Sequence, residues 1–159
     1  MLLDFLQVLP ERQPQLLRAE GQQVRWQPQL KANFDGAVSR EDKRAGLGVV
    51  IQNHQGQVLA SLSKNIMLPP SIEDVEALAA VRAVSFAAGL GFSSIIIEGD
   101  SEVVIKALKC KESLTTFGHL ISVARLTMDV LCSLSFSHTH RQGNSIARNL
   151  IRHASGYLV

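Results

Sequence analysis

Residues 93–101, SSIIIEGDS, hold three consecutive isoleucines between turn-forming residues, and no other stretch constrains the fold of this chain as much. A short, unbroken apolar run bounded in this way is expected of a strand covered on both faces. It comes after the pattern of a long helix, so it is expected to pair parallel to an earlier strand. The chain is therefore read as α/β with a mixed sheet.

The elements before it supply the antiparallel part. KANFDGAV, residues 31–38, alternates Ala32, Phe34, Gly36 and Val38 with Asn33, Asp35 and Ala37, the period of a strand. SREDKRAG reads as a charged loop, after which LGVVIQN and VLASLSKNI form two more strands joined by the Gly-containing turn HQGQ. The helix between these strands and the isoleucines is marked by Pro69 and Pro70 before it, Ser71 with Asp74 three residues on as a capping box, and Gly89 as its stop. Beyond the isoleucines, helices are predicted over 102–108, 116–131 and 145–155, with the strand SLSFSH between the last two. Residues 1–29 hold Pro10, Pro14 and Pro28 and no sustained period. They read as a tail or linker with one short helix near the start, and residues 30–159 as one domain.

Composition narrows the function classes only in part. A chain of 159 residues that is 46% hydrophobic can bury one real core. Its formal net charge of +2 does not mark a nucleic-acid binder, but the distribution is uneven. From Ser113 onward the only acid is Asp129, while Arg125, Arg141, Arg148 and Arg152 are joined by His119, His138, His140 and His153. Phosphate is the natural partner of such a surface, although scattered arginines on a solvated helix face give the same count. Cys110 and Cys132 have no metal-type spacing. The N-terminal MLLDFLQVL carries Asp4 and lacks a basic leader or a membrane-length apolar run, so an intracellular protein, nuclear or cytoplasmic and not secreted, is expected.

Three carboxylates stand where charge is costly. Asp35 lies mid-strand. On a helical wheel Ile72, Val75, Ala79, Ala83 and Phe86 share a stripe, and Glu76 falls inside it or at its edge. Asp100 follows the isoleucine strand directly, where α/β architectures commonly display functional groups; an Asp there also reads as a helix cap. If the strands of Asp35 and Asp100 run parallel with the first helix across them, the three converge. They cannot all ionise without positive charge, and magnesium or manganese prefers such oxygen ligands. Paired ions of this kind activate water in phosphodiester hydrolysis.

In order along the chain, WQP, KANFDGA, GLGVVIQN, VEALAAVRAVSFAAGLG, IIIEGDS and SFSHTHRQGNSIARNLIRHA resemble the ribonuclease H family, especially the domains of plant retroelement proteins and their single-domain plant relatives. The resemblance covers residues 26 to about 155. It implies a five-stranded mixed sheet flanked by helices, three strands antiparallel and two parallel. It also implies endonucleolytic hydrolysis of the RNA strand of RNA/DNA hybrids with two magnesium (or manganese) ions, by a monomer that needs no membrane and no small-molecule cofactor. Asp35, Glu76 and Asp100 match the family's first three metal-binding catalytic carboxylates. Asn33, Gly36, Ser101, Arg141 and Asn144 stand where short polar or phosphate contacts to the hybrid are expected. His138 and His140 lie where the family uses a loop histidine for proton transfer or product release.

One position departs from the pattern. Fully active members carry a fourth acid near the start of the last helix, and in GNSIARNLI that position is Arg148. An arginine cannot ligate a cation, and facing inward it would repel a second ion by on the order of several kcal/mol at an effective dielectric of about 20. Two expectations follow: a hybrid-cleaving enzyme, or a weakened or inactive nucleic-acid-binding domain of retroelement descent. A related exonuclease is disfavoured, because Asp35-Gly36-Ala37 lacks the D-x-E pair of that class.

Overall fold

The computed structural model describes residues 4–8, 29–110 and 115–155. In chain order the elements are β1 (Asp4–Val8), β2 (Lys31–Ser39), β3 (Arg44–Gln52), β4 (Val58–Met67), α1 (Ile72–Gly89), β5 (Ser94–Gly99), α2 (Glu102–Lys109), α3 (Gly118–Met128), β6 (Ser133–His138) and α4 (Ser145–Ser155). The expected five strands form one mixed sheet. Its order is β4-β3-β2-β5-β6, with β2, β3 and β4 antiparallel and β5 parallel to both β2 and β6. β1 adds a sixth strand beyond β4, pairing Asp4 with Lys64 through Val8 with Ala60. A strand therefore stands near the start, where a short helix was expected.

Local chemistry explains the boundaries. The Ser71 side chain accepts from the Asp74 backbone N–H at 3.1 Å, which satisfies one of the free donors of the first turn of α1. β3 begins at Arg44 rather than Leu47, because the turn between β2 and β3 occupies only residues 40–43. α3 is shorter at both ends than its apolar pattern suggests.

The two faces of the sheet are covered by different helices. Residues 35 and 36 of β2 point to opposite faces. A side chain at Gly36 would strike Val75 of α1, and one at Gly48, which pairs with Asp35, would strike Ile151 of α4. So α1 lies on one face and α4 on the other, each seated on a position that only glycine fills. α1 also packs against α3, which is why its buried residues, Ala77, Ala80, Val84 and Ala87 among them, spread well beyond a single stripe. Ile72, expected at the head of that stripe, is 53% exposed on the rim of a cleft.

Candidate active site

The site begins where backbone pairing ends. β2 and β5 pair over Lys31–Ile96, Ala32–Ile97 and Asn33–Glu98, and no further. Asp35 and Asp100 each lie two residues past the last pair, in register with one another and with no ladder between them. Leu30 O accepts from Ile96 N at 2.9 Å, and strand carbonyls alternate sides, so Phe34 O also faces the side on which β5 would continue. It is satisfied instead by the Asn144 side-chain amide, which donates to it at 2.7 Å. This bond fixes the entry to α4 beside the opening.

Through that opening the three predicted carboxylates meet. One oxygen each from Asp35, Glu76 and Asp100 lie within 4.8 Å of one another, although Asp35 belongs to the α4 face of the sheet and Glu76 to the helix on the other face. Asp35 is 2% exposed. Burial, with the Asp100 charge beside it, raises its pKa to about 6, against the opposing pull of Arg148. Burial and the charges of Asp35 and Asp100 push Glu76 to about 8. Among the described residues, Glu76 Oε2 is buried and has no hydrogen-bond partner. A partnerless buried oxygen facing two further carboxylates is a donor set that fits a hard divalent cation.

Arg148 faces inward, on the first turn of α4. Its Nε donates to Asp35 Oδ2 at 3.1 Å and its Nη2 to Asp100 Oδ2 at 2.8 Å. The guanidinium thus spans the same two acids that β2 and β5 bring into register. Both bonds are charge-assisted, and the Arg148 side chain is only 24% exposed.

A cleft of about 620 Å³ surrounds this group. Of the residues expected to contact nucleic acid, Gly36, Ser101 and Arg141 line it; Asn33 and Asn144 do not. Asn33 is 3% exposed and donates to Glu98 Oε2 at 3.0 Å, while Asn144 is fully buried with its amide committed to Phe34 O. Asn33 is thus tied to the side chain of Glu98 and Asn144 holds α4 to β2, while the buried Asn144 Oδ1 has no hydrogen-bond partner among the described residues. Gly36 also has a packing reason, the close approach of Val75. Arg141 is 83% exposed, with Nε 4.0 Å from Asp100 Oδ2.

The basic C-terminal third divides in two. His138, His140, Arg141, Arg148 and Arg152 line the cleft, whereas Arg125 donates to the carbonyls of Ala107 and Cys110 and ties α2 to α3. His138 Nε2 lies 3.2 Å from the Asp100 carbonyl, and its ring meets that of His140 edge-on at 5.7 Å. Glu73 and Thr139 are cleft residues that sequence reading did not single out, and Arg152, counted there only as one of the basic C-terminal residues, lines the cleft as well. The available signal was helical spacing: Glu73 precedes Glu76 by three positions, and Arg152 follows Arg148 by four.

Comparison with known proteins places this arrangement. The family model described as reverse transcriptase-like matches residues 33–154. No curated protein matches the chain in sequence. Among solved structures, the ribonuclease H1 of the halophilic archaeon Halobacterium salinarum superposes with a TM-score of 0.72 at 27% identity, covering 80% of this chain and 98% of that one. The N-terminal RNase H domain of a Mycobacterium tuberculosis protein gives 0.69 at 20% identity, covering 82% and 95%. LC11-RNase H1, solved in complex with an RNA/DNA hybrid, gives 0.68 at 21% identity, covering 78% and 94%.

Proposed function

Because the chain belongs to the reverse transcriptase-like family of ribonuclease H-like proteins, we propose that it is a divalent-metal-dependent endoribonuclease that hydrolyses the RNA strand of RNA/DNA hybrids. The observation that carries this reading is the meeting of Asp35, Glu76 and Asp100 at the mouth of a cleft, with Glu76 Oε2 buried and partnerless. These three residues would hold the metal, which supplies the charge that lets them ionise together and an acidified water for attack on the phosphodiester.

The chain's own residues divide the remaining work. Asp35, held on a strand and nearly inaccessible, is the fixed member of the three acids that would hold the metal. Arg141, exposed on the cleft wall, and Arg152 offer donors to backbone phosphates, which position a substrate without reading its sequence. Gly36 and Ser101 are the small lining residues that a minor groove would meet, where 2′-hydroxyls distinguish RNA. His138 and His140 stand beside Asp100 as groups for proton transfer or product release. The reading extends to a retroelement origin of the plant type, an intracellular location and a monomeric state. It takes residues 30–159 as the working domain and 1–29 as a linker whose strand β1 docks on the sheet edge.

Arg148 supports a second reading, that of a domain which binds hybrids and cleaves them poorly or not at all. Its guanidinium already occupies one oxygen of each of two acids. Incubating the chain with a hybrid labelled on the RNA strand, in magnesium or manganese, tests both. Cleavage that is lost in Asp35→Asn is the expected result. Hybrid that is bound but left intact establishes the binder instead.

A further inference from the structure

We propose that Arg148 is a built-in cation standing in for a second metal ion, so that this site takes one divalent ion per chain. The inference rests on the metal-dependent reading above and deepens it.

The placement of Arg148 is set by the fold. The Asn144 side chain is bound to Phe34 O, and the Asn144 carbonyl accepts from Arg148 N at 3.2 Å, so the first turn of α4 is held against the end of the β2–β5 ladder. One turn on from that anchor, the planar Arg148 fork spans Asp35 Oδ2 and Asp100 Oδ2 at 3.1 and 2.8 Å. A guanidinium does not deprotonate in proteins, so its positive charge is permanent.

Its hydrogen bonds are one-sided. They engage one oxygen on Asp35 and one on Asp100 and none on Glu76, whose Oε2 is buried without a partner. Glu76 and the other oxygen of each aspartate take no bond from Arg148. Three carboxylates with one guanidinium carry two net negative charges, which one divalent ion cancels. A second ion would leave the group doubly positive, and arginine offers it no ligand atom.

Titration of the full chain with manganese, following free ion by electron paramagnetic resonance, reads this directly. One ion is expected in the wild type and two in Arg148→Asp. Arg148→Gln keeps much of the side-chain bulk should the aspartate variant fail to fold, and its first ion should bind about tenfold or more tighter once the neighbouring positive charge is gone. Far-UV circular dichroism confirms that each variant is folded. Two ions in the wild type, one in a folded Arg148→Asp, or unchanged affinity in Arg148→Gln overturns the proposal. Hybrid cleavage on the same samples separates it from the reading beneath it. A one-ion chain that leaves hybrids intact overturns the nuclease and not the built-in cation; a cleaving chain that holds two ions does the reverse.

Discussion

Asn33 faces Glu98, and two residues further along the same two strands Asp35 faces Asp100. The first pair is closed: an amide donates to a carboxylate at 3.0 Å, Lys31 Nζ stands 3.5 Å from the other oxygen, and the backbone ladder runs beneath. The second pair sets like charges opposite one another where the ladder has stopped, and a helix from each face leans in, α1 with Glu76 and α4 with Arg148. Register is the same in both. What differs is whether backbone or cation holds the strands together, and that difference separates a structural pair from a site.

The largest effect is expected at the open pair. Asp35→Asn should lower metal-dependent hybrid cleavage by on the order of a thousandfold or more, since metal charge stabilisation is worth several kcal/mol. The folded, ion-free protein should become no less stable, because a buried charge repelled by Asp100 has been removed. Single-turnover cleavage and a urea melt check the two halves. At the closed pair the signs reverse. Asn33→Ala removes the partner of Glu98 Oε2 and leaves Lys31 on the other oxygen; it should cost about 1–3 kcal/mol in a urea melt, with cleavage per folded molecule little changed.

Dependence on pH separates the pairs more finely. Asp35 and Glu76 have folded-state pKa values of about 6 and about 8, above their ordinary 3.8 and 4.5, so the folded chain binds more protons than the unfolded chain between those limits. Stability without metal should therefore be full below the ordinary values and fall as pH rises through the folded ones. Glu76→Gln should flatten the upper part of that fall, toward pH 8, in thermal melts with chelator present. The smallest effect is at the rim of the closed pair. Lys31 is 47% exposed, and Lys31→Ala should cost between about 0 and 1 kcal/mol, less at high salt.

Much of this was readable from local pattern. The alternation in KANFDGA, the isoleucine run and the Ser71 cap gave the strands and the main helix; Asp35 and Glu76 stood out because charge there contradicts the apolar period around it, and Asp100 because it directly follows the isoleucine strand. What stayed hidden depends on partners far along the chain. Asn33 and Glu98 are 65 residues apart, and Asn144 and Phe34 are 110 apart, so neither hydrogen bond can be seen before the β2–β5 register is known. Strand β1 lies in a segment without sustained period, and its place is set by pairing with β4. Ile72 fits the core stripe by angle and still faces outward, because α1 starts at the cleft rim, where no described residue covers it. Arg148 could be seen to replace an acid, but its span across two carboxylates required the geometry.

If the opening between β2 and β5 is a cation site, metal must stabilise the fold through Asp35. Thermal melts of the wild type and Asp35→Asn at about pH 8, with and without magnesium, test this by mass action, which yields about 2.7 kcal/mol at a hundredfold excess over Kd. The wild type should melt higher with magnesium, and Asp35→Asn should gain several-fold less. No gain in the wild type, or an equal gain in both, would contradict it.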